Sequence, residues 1–383
     1  MIPLTVHASR FSGVSTNMLL RSFACSIGLS FAVLGAAKDP KSLRSAAPAQ
    51  GVKAPGVLIP YGNLKSEAEI PLTSAPTGFL FTESIAIADS AGIHRFDAKT
   101  GKAFDPPRDS KDVDKPCGGL LNAFSFVWTA SCGTSSLAKL EVRPVRGAGG
   151  RPGADAPKDA DAPKPEPPPQ RKPPAPPVFI ATGMAPLAST ALAASEDSVW
   201  LLGDNKTTLQ RIDPKENTVV AEVRLPAACT SILSAESSLW VACPGEARIL
   251  RIDPRTNLVD KRIEVAAQPV ALAAGESSIW VLCRKEGKVA RIDPKTNKVS
   301  ATIELGIPNA SGMLAFGEGS LWASVPGFPV MRITPSTDKV AQQFHGAGGG
   351  MIYFGSGSVW IASEKSNTVT RFDPKRISAT LAE

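Results

Sequence analysis

Short apolar runs recur along this chain at a fixed spacing. Ser238–Val241 is followed by Arg251–Pro254, and the Asp of the second run comes 13 positions after the Trp of the first. The same pair of runs recurs at Trp200, Trp280 and Trp360, with a weaker copy at Trp322. From Trp200 onward, successive tryptophans lie 40, 40, 42 and 38 residues apart. A period of about 40 residues made of short apolar runs is typical of four-stranded propeller blades.

Each copy predicts four strands divided by turn residues. In the fourth copy the strands are expected at 231–235, 239–243, 248–252 and 259–265. Counting copies by their second strand predicts an all-β fold, a seven-bladed β-propeller of about 40-residue, four-stranded blades. The seven second-strand positions are Ala86, Trp128, Trp200, Trp240, Trp280, Trp322 and Trp360. Because the first copy has Ala in place of Trp, we expect its blade to pack least well.

The chain supplies one outer strand more than seven blades need. Both 68–72 and 377–382 have the pattern of an outer strand. We expect one of them to close the ring beside the other terminus and the spare one to form an edge or tail. The pattern does not choose between them.

Residues 1–37 predict an export signal. They carry Arg10 and Arg21, no acidic residue, and an apolar run from Phe23 that ends in small residues near Ala37. A membrane anchor is the alternative, although the run is short for spanning a bilayer. Residues 38–66 are interpreted as a linker whose apolar stretch Val57–Tyr61 lies along the side of the domain. Residues 67–383 are then the propeller, in a periplasmic or secreted protein.

A proline-rich insertion at 146–177 interrupts the second blade. Trp128 and Trp200 lie 72 residues apart, 32 more than one repeat, and this interval of 32 residues contains eleven prolines. Such a composition predicts a disordered or polyproline-II excursion, because proline can neither donate to a ladder nor continue a helix. The alternative is a proline-rich ligand for a partner domain.

Six cysteines suggest two disulfides. Cys117 with Cys132, and Cys229 with Cys243, each flank a predicted hairpin symmetrically, which places them opposite each other across an antiparallel pair. Cys283 has Pro269 at its partner position and is expected to be a free buried thiol. The spacing gives no zinc-type cluster.

The charge distribution and the missing catalytic motifs argue against several classes of function. The formal charge is +7, but both signs alternate along the chain, which argues against a nucleic-acid binder with a basic, aromatic face. The sequence offers no nucleophile elbow or Walker loop, so catalytic residues stay unassigned and no cofactor or metal is expected. Gly346–Gly350 lies between two strands and is interpreted as a tight connection. We expect a monomer with no integral membrane segment once the signal is removed.

Two repeated residue types have a structural and a functional interpretation. The tryptophans are expected to fill the space between blades rather than to stack on a ligand. A basic residue also recurs before the third turn, and we favour a repeated ion pair or carbonyl contact over a ring of cations for an anionic ligand. These basic residues are Arg95, Lys139, Arg211, Arg251, Arg291, Arg332 and Arg371.

The connections of each blade divide into two sets. Turns between first and second strands, and between third and fourth, are nearly the same in every copy. Connections from second to third strand, and from blade to blade, differ. Loops on a rigid scaffold carry specificity, so we predict that the varied set binds a small polar ligand or protein partner. The predicted residues are Asp204, Lys206, Glu246, Arg248, Arg284, Lys285, Glu286, Glu364 and Lys365, with Arg248, Arg284, Glu286 and Glu364 nearest the axis.

The runs Ser278–Val281 and Arg291–Val299 resemble the repeats of bacterial seven-bladed propellers related to virginiamycin B lyase (streptogramin lyase) and of YVTN-repeat proteins. The resemblance implies an exported propeller that binds ligands or proteins. The lyase members use a Glu-x-His pair with a divalent metal, and this sequence contains no Glu-x-His. The preferred function is a non-enzymatic binding scaffold. The alternative is a metal-assisted lyase or lactone hydrolase that uses acidic residues of the central channel.

Overall fold

Seven β-sheets, each formed mainly from one stretch of the chain, make up the fold. The computed structural model describes residues 50–105, 107, 109–141, 177–181, 191–203 and 206–380. The predicted export signal, Asp204 and all but the last residue of the predicted proline-rich insertion lie outside these ranges. First strands of neighbouring sheets contact each other, as they do around the axis of a propeller. The predicted seven-bladed β-propeller is therefore confirmed.

The first three blades contain three, four and four strands, and two short strands precede them. In the first blade a fourth strand is replaced by two isolated bridges, from Ile93 to Ser110 and from Phe96 to Ala103. The expectation that this blade packs least well stays a prediction. The strands are β1 (Leu58–Pro60), β2 (Ala68–Pro71), β3 (Gly78–Phe81), β4 (Ser84–Asp89), β5 (Gly92–Asp97), β6 (Pro116–Ala123), β7 (Phe126–Ser131), β8 (Ser136–Glu141), β9 (Val178–Ala181), β10 (Leu192–Ala194), β11 (Val199–Gly203), β12 (Thr208–Asp213) and β13 (Thr218–Arg224).

The last four blades follow the repeat closely, and the fourth blade has the four strands that its sequence predicts. The strands are β14 (Ser231–Ala235), β15 (Ser238–Cys243), β16 (Arg248–Asp253), β17 (Leu258–Glu264), β18 (Pro269–Gly275), β19 (Ser278–Cys283), β20 (Lys288–Asp293), β21 (Lys298–Glu304), β22 (Met313–Gly317), β23 (Ser320–Val325), β24 (Phe328–Thr334), β25 (Lys339–His345), β26 (Met351–Gly355), β27 (Ser358–Ser363) and β28 (Thr368–Phe372). Two 3-10 turns, Tyr61–Asn63 and Pro244–Glu246, and one α-helix complete the elements.

The N-terminal part of the described chain closes the ring. Strand β2 pairs antiparallel with β28, so it is the outermost strand of the last blade. Of the competing segment 377–382, the first three residues belong to helix α1 (Pro374–Ala379) instead of a strand. The choice that the sequence left open is thus settled in favour of 68–72.

The apolar stretch in the predicted linker also packs on the propeller. Strand β1 pairs in parallel with β25 and adds a fifth strand to the sixth blade. Ile59 is fully buried against Phe344 and Trp322. The segment lies along the side of the domain, as predicted.

All six tryptophans are completely buried. Each lies in the second strand of its blade, and the ring of Trp280, for example, packs against Leu314 and Leu321 of the next blade. Its Nε1–H donates to the carbonyl of Gly275, five residues earlier, at 3.1 Å, and the other five tryptophans donate to the residue at the same offset. The prediction that these rings fill the space between blades is confirmed.

The repeated basic residue tethers five of the blades to the next one, whereas Arg332 of the sixth blade bonds Gln342 within its own blade. Arg251 lies opposite Trp240 in the β15–β16 pair, with its guanidinium carbon 5.1 Å from the ring centre. Its Nε donates to Ser238 Oγ at 2.9 Å, and its Nη1 donates to the Pro294 carbonyl and Asn297 Oδ1, both at 2.7 Å. The last two acceptors belong to the next blade. The contact is structural, as we favoured, and Arg291 repeats it on Pro335 and Asp338.

Both predicted disulfides are present. Cys117 is bonded to Cys132 and Cys229 to Cys243, with Cα atoms 6.0 and 3.9 Å apart. Cys283 is a free, buried thiol opposite Pro269. Two disulfides are consistent with export to an oxidising compartment. No helix in the described ranges is long and apolar enough to cross a membrane.

Candidate functional site

The two sets of connections lie on opposite faces of the propeller. We call the face with the connections between second and third strands, and between blades, the variable face. The other face, with the repeated hairpin turns, is the turn face. On the turn face, Asp213 Oδ1 accepts hydrogen bonds from the N–H groups of Lys215 and Glu216, and Asn217 ends the turn at φ 56°. Local turn geometry therefore explains this repeated sequence.

A cleft of about 560 Å³ opens on the variable face between the sixth and seventh blades. Only varied connections and the strand ends beside them line it. We call it the variable-face cleft, and its lining is Ser311–Met313, Pro326, Gly327, Gly346–Met351 and Ala362–Lys365.

Glycines let the connection at 346–350 pass close to the sixth blade. Gly349 has φ 95°, and a Cβ there would collide with the Val325 carbonyl. The N–H of Gly327 donates to the Gly348 carbonyl at 2.9 Å, and the N–H of Gly350 donates to Ser324 Oγ at 2.9 Å. The segment is a tight connection, as predicted, and it also forms one wall of the cleft.

The cleft has an apolar floor and a charged rim. Met313 and Met351, at the ends of two first strands, are partly buried, whereas Glu364 and Lys365 are exposed. At the neighbouring blade Arg284 donates from Nη1 to Ser311 Oγ, a cleft residue, and from Nε to Gln268 Oε1, both at 3.0 Å. Arg284 thus contacts the residues that precede the first strands of the fifth and sixth blades, Gln268 and Ser311.

The charge of Glu364 affects the pKa of Tyr353, a residue of the innermost strand of the seventh blade. Burial raises the pKa of Tyr353, and the negative charge of Glu364 raises it further. Tyr353 stacks on Phe79 of the first blade, with ring centres 4.2 Å apart. An uncharged phenol therefore lies behind the rim carboxylate at the inner end of the seventh blade.

The other predicted residues are spread over neighbouring blades. Lys206 has φ 66°, and its carbonyl accepts a hydrogen bond from the Cys229 N–H at 2.8 Å. Arg248 contacts Glu264 of the outermost strand at 3.4 Å and Glu246 at 4.0 Å. Its side chain is therefore directed outward, whereas we expected it near the axis. Lys285 is exposed. Glu364 and Lys365 line the cleft, Arg284 contacts the lining residue Ser311, and the other predicted residues within the described ranges are absent from the lining.

Glu286 differs from the other charged residues of this face. Its Oε2 is buried and has no hydrogen-bond partner within the described ranges. Its charge is the second cause, after burial, that raises the pKa of the Cys283 thiol to about 12. Cys283 is therefore protonated and inert at neutral pH.

Sequence reasoning missed a carboxylate–imidazole–carboxylate arrangement in the first blade. His94 Nε2 lies 2.9 Å from Asp89 Oδ1, and its Nδ1 lies 3.1 Å from Asp109 Oδ2. Asp89 is fully buried and also accepts hydrogen bonds from the N–H groups of Ser74 and Ala91. The one signal in the sequence was the placement of Asp89 and His94 on either side of a short turn. When His94 is protonated, both ring nitrogens donate and the imidazolium joins the two carboxylates, an arrangement that we call the clasp.

This clasp predicts a pH dependence of stability. Burial alone would lower the pKa of His94, but the hydrogen bonds and charges of Asp89 and Asp109 outweigh it and raise the pKa above 6.5. The clasp therefore stabilises the fold fully below about pH 6.5, and its contribution is lost as pH rises through the higher folded-state pKa. The melting temperature of wild type minus that of His94→Gln should fall between pH 5.5 and pH 8.5. A difference that stays constant or grows over this range would contradict the assignment.

Four acidic residues are candidates for converging with a histidine around the axis: Asp89, Asp204, Glu246 and Glu364. Of the candidates, Asp89 does so, but His94 is already held by two carboxylates, and Asp204 lies outside the described residues. Within the described ranges no group of three or more His, Cys, Asp or Glu residues is arranged to hold a metal ion. The residues therefore do not fit the divalent-metal site that the resemblance implies.

Comparison with solved structures matches this architecture to known propellers. The fold is similar to that of virginiamycin B lyase. A catalytically inactive variant of that enzyme from Staphylococcus aureus, with quinupristin, superimposes with a TM-score of 0.60 at 15% identity, over 79% of this chain and 97% of the other. A second match is BBS1N in complex with ARL6DN, with a TM-score of 0.58 at 12% identity, over 84% of this chain and 98% of the other. No family model and no curated protein matches the sequence.

These two similarities confirm the resemblance at the level of the fold. At 15% and 12% identity they establish the propeller architecture alone. One structure contains a small molecule and the other a protein complex. The virginiamycin B lyase-like fold therefore leaves the choice of ligand to the site itself.

Proposed function

We propose that this protein is an exported β-propeller that acts as a binding scaffold, with the variable-face cleft as its ligand site. The observation that carries the proposal is the cleft between the sixth and seventh blades, which is built from connections that no repeat dictates. Its volume of about 560 Å³ is in the range of ligand sites. Two disulfides support an extracytoplasmic location.

The lining indicates what kind of group the cleft accepts. Methionine side chains give an adaptable apolar floor, since their thioethers are flexible and polarisable. The rim presents one carboxylate, Glu364, and one ammonium, Lys365, on adjacent residues of one turn. A ligand or peptide segment with an apolar body and a polar, mixed-charge end fits this surface. The similar propellers support either a small ligand or a protein partner, because one was solved with a small molecule and the other with a protein.

The test is a variant that blocks the cleft from the last residue of strand β27. Ser363→Trp places a large ring at the lining, whereas Ser366→Trp adds the same ring to the same turn at an exposed position outside it. Each variant is immobilised and exposed to an extracytoplasmic extract of the host. We expect a component that wild type and Ser366→Trp retain to bind Ser363→Trp at least about tenfold more weakly, a loss of about 1.4 kcal/mol.

A turn-face variant tests the choice of face. Lys215, Arg255 and Lys295 are exposed on the repeated turns, and their joint replacement by Ala should leave binding unchanged. If this triple variant loses the component while Ser363→Trp retains it, the proposed face is wrong.

A further inference from the structure

The second blade departs from the repeat at three linked positions on the turn face. Six of the seven blades have Ser where the second strand begins, but this blade has Phe126. Six have Arg as the repeated basic residue, but this blade has Lys139. At the tip of the hairpin, where four other blades have Glu, it has Phe124.

The first two changes compensate each other. In the sister blades the Ser hydroxyl accepts the Arg Nε–H, for example Ser278 from Arg291 at 2.9 Å. In the second blade Lys139 still reaches the next blade, with Nζ 2.6 Å from the Pro214 carbonyl and 2.9 Å from Asn217 Oδ1. Its Nζ lies 4.2 Å from the centre of the Phe126 ring, which takes the place of the missing Ser–Arg contact. The tether between blades survives while an aromatic ring is added to the turn face.

The third change places a large residue in a strained conformation. Phe124 has φ 55°, in the left-handed region that bulky residues rarely adopt. Glu236, Glu276 and Glu318 occupy the same turn position at φ 48–51°. In these sister blades a polar residue therefore adopts the conformation that the turn requires. Strain of this kind persists where the local geometry serves a function.

The two rings line a cleft of about 580 Å³ between the second and third blades. We call it the aromatic cleft. Pro214, Lys215 and Val220 form its opposite side, and the Val220 side chain is 54% exposed. The equivalent cleft between the third and fourth blades has Ser234, Ser237 and Arg255 and no aromatic residue in its lining. The apolar character thus distinguishes the aromatic cleft from its neighbour in the ring.

Both ends of the proline-rich part of the chain meet the wall of this cleft. Glu141, the last described residue before it, lies opposite Phe126 in the β7–β8 pair. Val178, just after it, lies opposite Lys139 in the β8–β9 pair. Sister blades make the same connection with a short turn, whereas here residues 142–176 intervene. Val178 and Phe179, which follow them, are 43% and 44% exposed.

We propose that the aromatic cleft is the docking site of the chain's own residues 142–176, bound in cis. Phe124 and Phe126 are partly buried. Grooves lined by aromatic rings recognise PxxP sequences, and this segment contains one at Pro165–Pro168 and reaches another at Pro174–Pro177. The sequence of this segment predicts polyproline II, a conformation that binds at little entropic cost because it is extended before binding. Because the segment is attached at the cleft, its effective concentration there is on the order of millimolar, so that weak contacts are enough.

Limited proteolysis of the full chain tests this proposal. A protease that cleaves after Lys and Arg has target bonds in the segment after Arg146, Lys158 and Arg171. The comparison variant restores the sister-blade residues with Phe124→Glu, Phe126→Ser and Lys139→Arg. Cleavage follows the undocked population, so we expect wild type to be cut about tenfold more slowly than this variant. Glu276→Ala, on the equivalent turn of the fifth blade, should behave as wild type. Equal rates in wild type and the restored variant would overturn the proposal.

Two further arms identify the occupant. A synthetic peptide of residues 155–177, added at several times the effective concentration, should restore fast cleavage in wild type, and unchanged protection would count against docking. Protection that increases with protein concentration would show docking onto a second copy and would refute binding in cis. Circular dichroism confirms that the restored variant is folded. If the restored variant is not folded, the test uses Phe124→Glu alone, because Glu occupies this turn at the same positive φ in three sister blades.

Discussion

Trp280→Ala is expected to lower the free energy of unfolding by about 3–5 kcal/mol, which is the usual cost of removing a fully buried Trp. The ring has no exposed surface and packs against Leu314 and Leu321 of the next blade. Its loss opens a cavity between two blades rather than within one. It also removes the aromatic surface that lies 4.8 Å from the Arg291 guanidinium carbon, a contact of about 0.5–1 kcal/mol or more.

Urea unfolding followed by circular dichroism measures this effect. The matched control is Leu258→Ala, since Leu258 is 66% exposed on an outer strand and its loss should change stability by less than about 0.5 kcal/mol. A loss below about 1 kcal/mol for Trp280→Ala would show that the space between blades collapses around the missing ring. The stacking of blades would then depend mainly on the arginine tethers.

The repeated parts of the fold could be predicted from the sequence, because residues that recur at a fixed spacing stand out from those that vary between copies. The spacing of Trp240 and Arg251 placed them on paired strands, and they are direct partners in the β15–β16 ladder. The position of Cys229 and Cys243 about one hairpin tip predicted their disulfide for the same reason. In each case the strand period fixes the geometry.

The end of the chain shows where the repeat argument stops. Asp373 and Pro374 begin as the turns of the sister blades do, and Asp373 accepts a hydrogen bond from the Lys375 N–H. The sister turns then end with Asn217, Asn257 or Asn297 at positive φ. Here Ile377 follows, and it buries its side chain as part of helix α1. Without the Asn that reverses the chain, the Asp-Pro start serves as a helix N-cap.

The sites could be predicted less well, because they lie where no repeat applies. The sequence placed Glu364 and Lys365 on a varied connection, and this connection lines the variable-face cleft. It could not show that the 346–350 connection forms a wall, since this depends on how closely glycines let it approach Val325. The His94 clasp escaped notice because Asp109 belongs to the irregular part of the first blade. Phe124 and Phe126 were overlooked because the turns of this face were treated as the same in every blade.

Ile70→Ala is expected to destabilise the protein by about 2–5 kcal/mol, because the residue is buried in the strand that closes the ring. Ile70 lies opposite Val369 in the β2–β28 pair and packs with Phe79, Ile85 and Trp360. These contacts join the N-terminal segment, the first blade and the last blade. Weakening them exposes the edge of β28, so its amide hydrogens should also exchange faster.

Glu69→Ala is the matched control, because Glu69 is exposed on the opposite side of the same strand and pairs with Thr370. It should leave both the melting temperature and the exchange of Thr368–Phe372 unchanged. The expected contrast between adjacent positions follows from the alternation of side chains along a strand. If Ile70→Ala behaves like Glu69→Ala, strand β2 is not what holds the ring closed. The closing role would then pass to β1, which ties the same N-terminal segment to the sixth blade.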